Sequence, residues 1–257
     1  MHRHAFNAAA IAAVISVVVV AMAAAAAIRT AGPQPDGTAI TPQGWRVTPA
    51  GSQTDLGLWP MDVAMGPAGN LLLVANAGYA HHSLMAIDPA SGDVLQVISA
   101  AGAKSHGWWD WASGHPTGYY VGLAFSPDGR RAWASDGPGG AIHVFRINGR
   151  SLTETQHIKL AGNRGNQHPW PAGIAVSGDG NRLFVAGNLD DTLRIVDPTS
   201  RTVLDTVAVG HLPYGVALNA ADTRAFVSNW GASTVSVVDT NTHAVVRTVA
   251  VGISPAT

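Results

Sequence analysis

From residue 59 onward, short apolar runs alternate with polar clusters rich in Gly, Pro, Asn and Asp. The last stretch shows the pattern best. Residues 215–218 form a short apolar strand, 219–223 a turn, 224–228 a second strand and 229–233 a second turn. Residues 234–239 (TVSVVD) alternate with a period of two, which turns one face of a strand toward a core and the other away from it. Asn241 and Thr242 turn the chain once more, and residues 244–251 supply a fourth, outer strand. The same order recurs over residues 59–98, 120–160 and 170–210. The first turns of these units contain Pro67-Ala68-Gly69, Pro127-Asp128-Gly129 and Gly178-Asp179-Gly180, while the last unit carries Thr223 there. Gly supplies the positive φ that such tight turns require.

The units are repeats. Residues 171–210 align without a gap on residues 213–252 at an offset of 213 − 171 = 42, with Asp197 matching Asp239 and Gly210 matching Gly252. A constant period near 42 built from four short strands is the signature of a β-propeller blade. The expected fold is therefore all-β, a β-propeller of four-stranded antiparallel blades with four blades present in an open arc. Residues 45–56 read as a lone strand of the kind that closes a propeller ring, and residues 253–257 open a further blade, since Pro255 stands 42 after Pro213. An open arc leaves the two terminal blades each with a face made for a neighbour. That predicts either association through open blade edges or a longer native propeller.

Composition narrows the function. The 257 residues carry a net charge of −1 with only two lysines, Lys104 and Lys159, so no basic field is available for nucleic acid. The absence of Cys removes disulfides, thiolate metal sites and a Cys nucleophile. Residues 8–28 are apolar except for Ser16, follow Arg3 and include the small residues 23–27, which is the pattern of an export signal. At 1.5 Å per residue this run reaches ~31 Å, so it also suits an uncleaved membrane anchor. Either way the rest of the chain is expected in the periplasm or outside the cell, with membrane contact only through residues 1–28. Residues 29–43 lack a periodic pattern and read as a linker.

The second strands carry Leu73-Val74-Ala75-Asn76, Trp133-Ala134-Ser135-Asp136, Phe184-Val185-Ala186-Gly187 and Phe226-Val227-Ser228-Asn229. With Ser126-Pro127-Asp128-Gly129-Arg130 before one of them and TVSVVDT after another, residues 44–257 resemble the YVTN-repeat (YncE-like) exported bacterial propellers. That resemblance implies a seven-bladed ring, of which four blades are a truncated part. The opening residues 44–51 (GWRVTPAG) are similar to the N-terminal propeller of fusions that continue into an alkaline-phosphatase-type phosphoesterase domain.

Candidate chemistry concentrates where the repeat is interrupted. His115-Pro116, His168-Pro169-Trp170-Pro171 and His211-Leu212-Pro213 each precede an innermost strand and so ring one mouth of the channel. Imidazoles there can bind an anion or a metal, but the x-Pro steps also read simply as extended entries into the strands. Gly107-Trp108-Trp109-Asp110-Trp111 lies in an inserted segment, residues 99–119, and three Trp so close together need burial or a partner. Trp45, Trp59, Trp133, Trp170 and Trp230 read as core or blade-edge packing, and Asp190-Asp191 as a turn. No phosphate loop, Gly-x-Ser-x-Gly elbow or calcium-loop spacing is present. The ligand-binding candidates are His115, His168, Trp170, His211, Trp108, Trp109 and Trp111; no residue is assigned to catalysis, to a cofactor or to a metal. The expected function is a non-catalytic exported propeller that binds a small ligand or a protein. The alternative is the propeller part of a phosphoesterase, or of a lactonase-like hydrolase whose catalytic part is not in this chain.

Overall fold

The structure is a computed structural model that describes residues 31–48, 51, 53–78, 82–100, 118–162 and 169–256. The segment read as an export signal lies outside them, and among the described residues no helix is long and apolar enough to cross a membrane. The chain divides into two units, Met1–Gln53 and Thr54–Thr257.

The first unit holds a small antiparallel meander of β1 (Gly32–Pro33), β2 (Ala39–Ile40) and β3 (Arg46–Val47). Its turn is built by Asp36, which accepts hydrogen bonds from the Thr38 amide and hydroxyl and pairs with Arg46. The linker reading of residues 29–43 therefore misses two strands, because strands of two residues are too short to show a period. Among its described residues, the segment 45–56 does not hold a lone strand. Its strand residues Arg46–Val47 pair with β2, Ala39 opposite Val47.

The second unit holds four four-stranded antiparallel sheets among the described residues. The first is β4 (Pro60–Met65), β5 (Leu72–Ala77), β6 (His82–Ile87) and β7 (Val94–Ser99). The second is β8 (Leu123–Phe125), β9 (Arg131–Asp136), β10 (Ala141–Asn148) and β11 (Ser151–Lys159). The third is β12 (Pro171–Val176), β13 (Leu183–Gly187), β14 (Thr192–Asp197) and β15 (Thr202–Ala208). The fourth is β16 (Pro213–Leu218), β17 (Arg224–Asn229), β18 (Thr234–Asp239) and β19 (Ala244–Ala250). Each sheet is a propeller blade, so the all-β propeller expected from the period is what forms, as an open row.

Consecutive blades pack face to face, and the apolar residues of the alternating strands make three cores between them. Leu73, Leu84, Tyr119 and Phe145 lie in the first core, Trp133, Ile142, Leu183 and Val196 in the second, and Phe184, Leu193, Val227 and Val238 in the third. The inner strands come close enough to demand glycine. A Cβ on Gly122 would sit 2.1 Å from the Ala172 carbonyl oxygen, and one on Gly173 2.6 Å from that of Tyr214.

Three local devices recur in register. First, Gly69, Gly129 and Gly180 turn at φ +67°, +69° and +72°; Asp222, not Thr223, fills that place in the last blade, at +54°. Second, the residue before each entry proline is left-handed rather than extended, at +52° for Trp59, +47° for Trp170 and +50° for Leu212. This conformation turns their carbonyls to accept the amides of Ala77, Asn188 and Trp230, which closes the first hairpin of the first, third and fourth blades. Third, the pairing of third and fourth strands slips at one place in every blade, at Ala86/Ile87, Val144/Phe145, Ile195/Val196 and Val237/Val238. Of the five Trp read as packing residues, only Trp133 is fully buried; Trp45, Trp59 and Trp230 are exposed and Trp170 is half-buried.

Candidate functional site

Two groups of side chains depart from the repeat, one at the inner strands and one on the outer half of the second blade. The inner group gathers residues on the innermost strands of the blades and at the entries to them. Tyr120 precedes β8, Trp170 precedes β12 and Tyr214 is the second residue of β16. Tyr120 meets Trp170 edge-on with ring centroids 6.0 Å apart and Tyr214 at 6.1 Å. The Tyr120 hydroxyl accepts from Trp170, whose indole N–H can only donate, and shares a hydrogen bond with the Tyr214 hydroxyl in which either oxygen can be the donor. Burial raises the pKa of Tyr120, and burial together with Tyr120 pushes Tyr214 up to about 12, so both phenols are neutral donors at ordinary pH.

Asp62 on β4 stands where the other blades have Gly122, Gly173 and Gly215, immediately before Val63, Leu123, Ile174 and Val216 in the register. Its carboxylate accepts the amides of Val63 at 2.8 Å and of Leu123 at 2.9 Å, bridging two blades. Burial raises its pKa to about 6, against the lowering effect of those two amides. Its negative charge also contributes to raising Tyr214.

Of the residues singled out in the sequence, Trp170 belongs to this group. His211 does not. It is exposed, with Nδ1 3.1 Å from the Asp191 carboxylate, and ties down the connection between β15 and β16. His115, His168, Trp108, Trp109 and Trp111 lie outside the described residues. Sequence reasoning missed Asp62, Tyr120 and Tyr214. Asp62 was detectable as a carboxylate at a glycine position of the repeat, whereas the tyrosines look like ordinary strand residues.

The second group is His143 on β10 with Glu154 and His157 on β11. The strand slip at Val144/Phe145 pairs Phe145 with Glu154 and leaves Thr155 bulged, its hydroxyl donating to the Val144 carbonyl. Such a bulge places two successive residues against one and re-aims a side chain. Here it brings Glu154 to the face carrying His143 and His157. Glu154 Oε1 lies 2.5 Å from His143 Nδ1 and 2.6 Å from His157 Nε2. On the other side of the imidazole, His143 Nε2 faces the Gly118 carbonyl at 3.2 Å and Asp136 Oδ2 at 3.5 Å. Burial works against a charge on His143, but Asp136 and then Glu154 outweigh it and raise its pKa to about 9. The hydrogen bond from His143 in turn lowers the pKa of Glu154. Neither histidine stood out in the sequence, because the pattern becomes visible only when equivalent positions of the four blades are compared.

Asp190, read as a turn residue, also proves to be buried. It pairs with Arg194, whose guanidinium further donates to Thr192 Oγ1 and the Ala161 carbonyl.

Comparisons with known proteins fit this architecture. Among solved structures the chain resembles Kuenenia stuttgartiensis hydrazine synthase, with a TM-score of 0.58 and 18% identity over 78% of this chain and 51% of that one. It also resembles a candidate 6-phosphogluconolactonase from Bacteroides uniformis, with a TM-score of 0.58 and 15% identity over 86% of this chain and 66% of that one. At these identities the likeness is one of fold, and the chain spans about half to two thirds of the length of those structures. No curated protein matches the chain. The sequence model of one family, described as lactonase, 7-bladed β-propeller, matches residues 122–250. That match covers half of the chain and all but the first of its blades, and the chain belongs to the lactonase family of seven-bladed β-propellers.

Proposed function

We propose that this chain is a lactonase-type propeller whose inner-strand group binds a polar ring, of the sugar-lactone class, and promotes its hydrolysis. The observation that carries this reading is the cluster of Tyr120, Trp170 and Tyr214 at the inner strands, with the blade-bridging carboxylate of Asp62 acting on Tyr214. Family membership supports it, while fold alone does not name a reaction. Hydrolysis needs a donor where negative charge develops on the carbonyl oxygen and an acceptor for the proton of the attacking water. Tyr120 O–H serves as the donor. The Trp170 indole N–H on its oxygen strengthens it, since hydrogen bonds in series polarise one another. Asp62 serves as the acceptor: its two amide bonds leave lone pairs free, and its pKa of about 6 lets it take and release a proton near neutrality. The ring oxygen leaves with the proton that Asp62 has taken.

The test is acid release from a panel of sugar lactones by the full-length chain, followed with a pH indicator. Tyr120→Phe is expected to lower kcat/KM by ~10²-fold, the usual cost of losing one such donor. Asp62→Asn is expected to lower it by ~10²–10⁴-fold and to abolish the inflection near pH 6. Turnover unchanged in Asp62→Asn sinks the acid–base assignment. Lactone binding to the wild type without turnover returns the chain to the non-catalytic binding propeller. Two finer points belong to the same proposal: kinship with YVTN-repeat propellers, which rests on the four second-strand motifs, and export through residues 8–28, which cell fractionation checks.

A further inference from the structure

We propose that His143 Nδ1, Glu154 and His157 Nε2 on the second blade form a binding site for a divalent transition-metal ion of the zinc type, separate from the inner-strand group. Their donor atoms all lie within 4.8 Å of one another. Two imidazole nitrogens and one carboxylate oxygen are a donor set that suits Zn²⁺, which takes His nitrogen at ~2.0–2.1 Å and carboxylate oxygen at ~2.0–2.2 Å. Glu154 Oε1 now sits between the two rings, and an ion entering there replaces the protons shared along His143, Glu154 and His157.

Three further observations point to a built site rather than a chance cluster. The first is its support. The Gly118 carbonyl and Asp136 Oδ2 both face His143 Nε2 and hold a proton on that nitrogen, so the proton that an ion displaces is the one Nδ1 shares with Glu154. Asp136 is itself anchored, with Oδ1 accepting the amides of Gly118 and Gly139 at 2.8 Å each. Its buried Oδ2 is the oxygen that faces His143 Nε2, and the Tyr119 ring packs 4.8 Å from the imidazole, so the ring of His143 is held in place from two sides.

The second is restriction to one blade. The positions equivalent to His143, Glu154 and His157 are Met85, Val94 and Val97 in the first blade. They are Arg194, Val203 and Thr206 in the third and Ser236, Val245 and Thr248 in the fourth. The strand slip that aims Glu154 is common to all four blades, so the scaffold is generic and only this blade carries ligands on it.

The third is access. His143 is buried, Glu154 half-buried and His157 exposed, a gradient that lets an ion enter from solvent and leaves a coordination position for water.

The experiment uses the full-length chain stripped with a chelator, titrated calorimetrically with zinc chloride and analysed for bound metal. Cobalt(II) substitution is read by visible absorption. The expected result is a high-affinity equivalent that raises the melting temperature, gives the intense visible bands of a four-coordinate cobalt site and disappears in Glu154→Gln and His157→Ala. His157 is exposed, so its replacement leaves the blade folded, as circular dichroism will show. His143→Ala is not the deciding variant, because it empties a buried position. The proposal is overturned if the wild type takes up no zinc at micromolar concentration. It is equally overturned if His157→Ala binds as much as the wild type, which would place the metal on other histidines such as His2 and His4.

Discussion

The third and fourth blades repeat one pattern at a spacing of 42 residues, yet Phe184 is 1% exposed and its counterpart Phe226 is 40% exposed. The neighbours tell the same story. Leu193 and Ile195 are fully buried, while Val235 and Val237 are only half-buried. The difference is not in the strands, since both blades share register, slip position and turns. It lies in what covers them: the fourth blade packs on that face of the third, and the corresponding face of the fourth is open. Blade identity is therefore local, and burial is a property of the row.

The two blades also solve one buried polar problem differently. In the fourth, Asn229 Nδ2 donates to Thr234 Oγ1 and Ser236 Oγ at 2.9 Å each. In the third, Gly187 replaces Asn229 and Arg194 replaces Ser236, and the guanidinium occupies the space of the missing amide. A Cβ on Gly187 would lie 2.4 Å from Arg194 Nη1 and 2.4 Å from Asp190 Oδ1. The second blade places Asp136 and His143 at the same two positions, so this diagonal pair is the place where the blades of this protein diverge.

The sharpest way to break the comparison is at the aromatic position. Phe184→Ala is expected to destabilise the protein by ~3–5 kcal/mol, because it empties a filled core. Phe226→Ala should cost under ~1 kcal/mol, as for an exposed position. Urea unfolding of both variants decides this, and equal losses would mean that the open face is covered in solution. Next comes the polar pair. Arg194→Ser leaves the buried Asp190 carboxylate without its guanidinium and is expected to cost ~3 kcal/mol, whereas Ser236→Ala should cost ~1 kcal/mol. Adding Gly187→Asn to Arg194→Ser installs the fourth blade's pair in the third and should recover part of the loss, while Gly187→Asn alone should be the worse variant. Thermal melts of the three proteins check that order, and no recovery in the double variant would show that the two solutions are not interchangeable.

The smallest effect should be the one at which the blades agree. Asp197 accepts the amides of Thr199 and Ser200, and Asp239 those of Asn241 and Thr242, and each carboxyl is held below its ordinary pKa mainly by these turn hydrogen bonds. A pKa lowered in the folded state contributes stability above the unfolded value, and that contribution is lost as pH falls through the folded value. Asp197→Asn and Asp239→Asn should therefore give small drops in melting temperature at neutral pH that vanish on acidification below the usual carboxylate range, the larger at Asp239, which also pairs with Arg224. A drop at Asp197 as large as that at Asp239 would mean that the ion pair adds nothing to the turn.

How much of this was legible in the chain follows from the range of the interactions. The turns could be read because Gly69, Gly129 and Gly180 need a positive φ whatever surrounds them, and Asp222 shows how a short polar side chain can replace glycine there. The left-handed residue before each entry proline could not be read, because its conformation is imposed by a hydrogen bond from the far end of the hairpin. The candidate sites were hardest. Trp170 was found beside its proline, but Tyr120 and Tyr214 meet it only across blades. Glu154 reaches His143 only through a bulge that moves it to the other face of its strand.

By itself, the sequence determined the period, the four-stranded blade and the turn chemistry, because each depends on residues a few positions apart and on backbone geometry that recurs at every copy. Only the tertiary structure decided which of two equivalent phenylalanines is core, which carboxylate bridges two blades and which histidines converge on one glutamate. Those outcomes depend on side chains from different strands meeting across a sheet or between sheets, and no spacing along one chain encodes such a meeting.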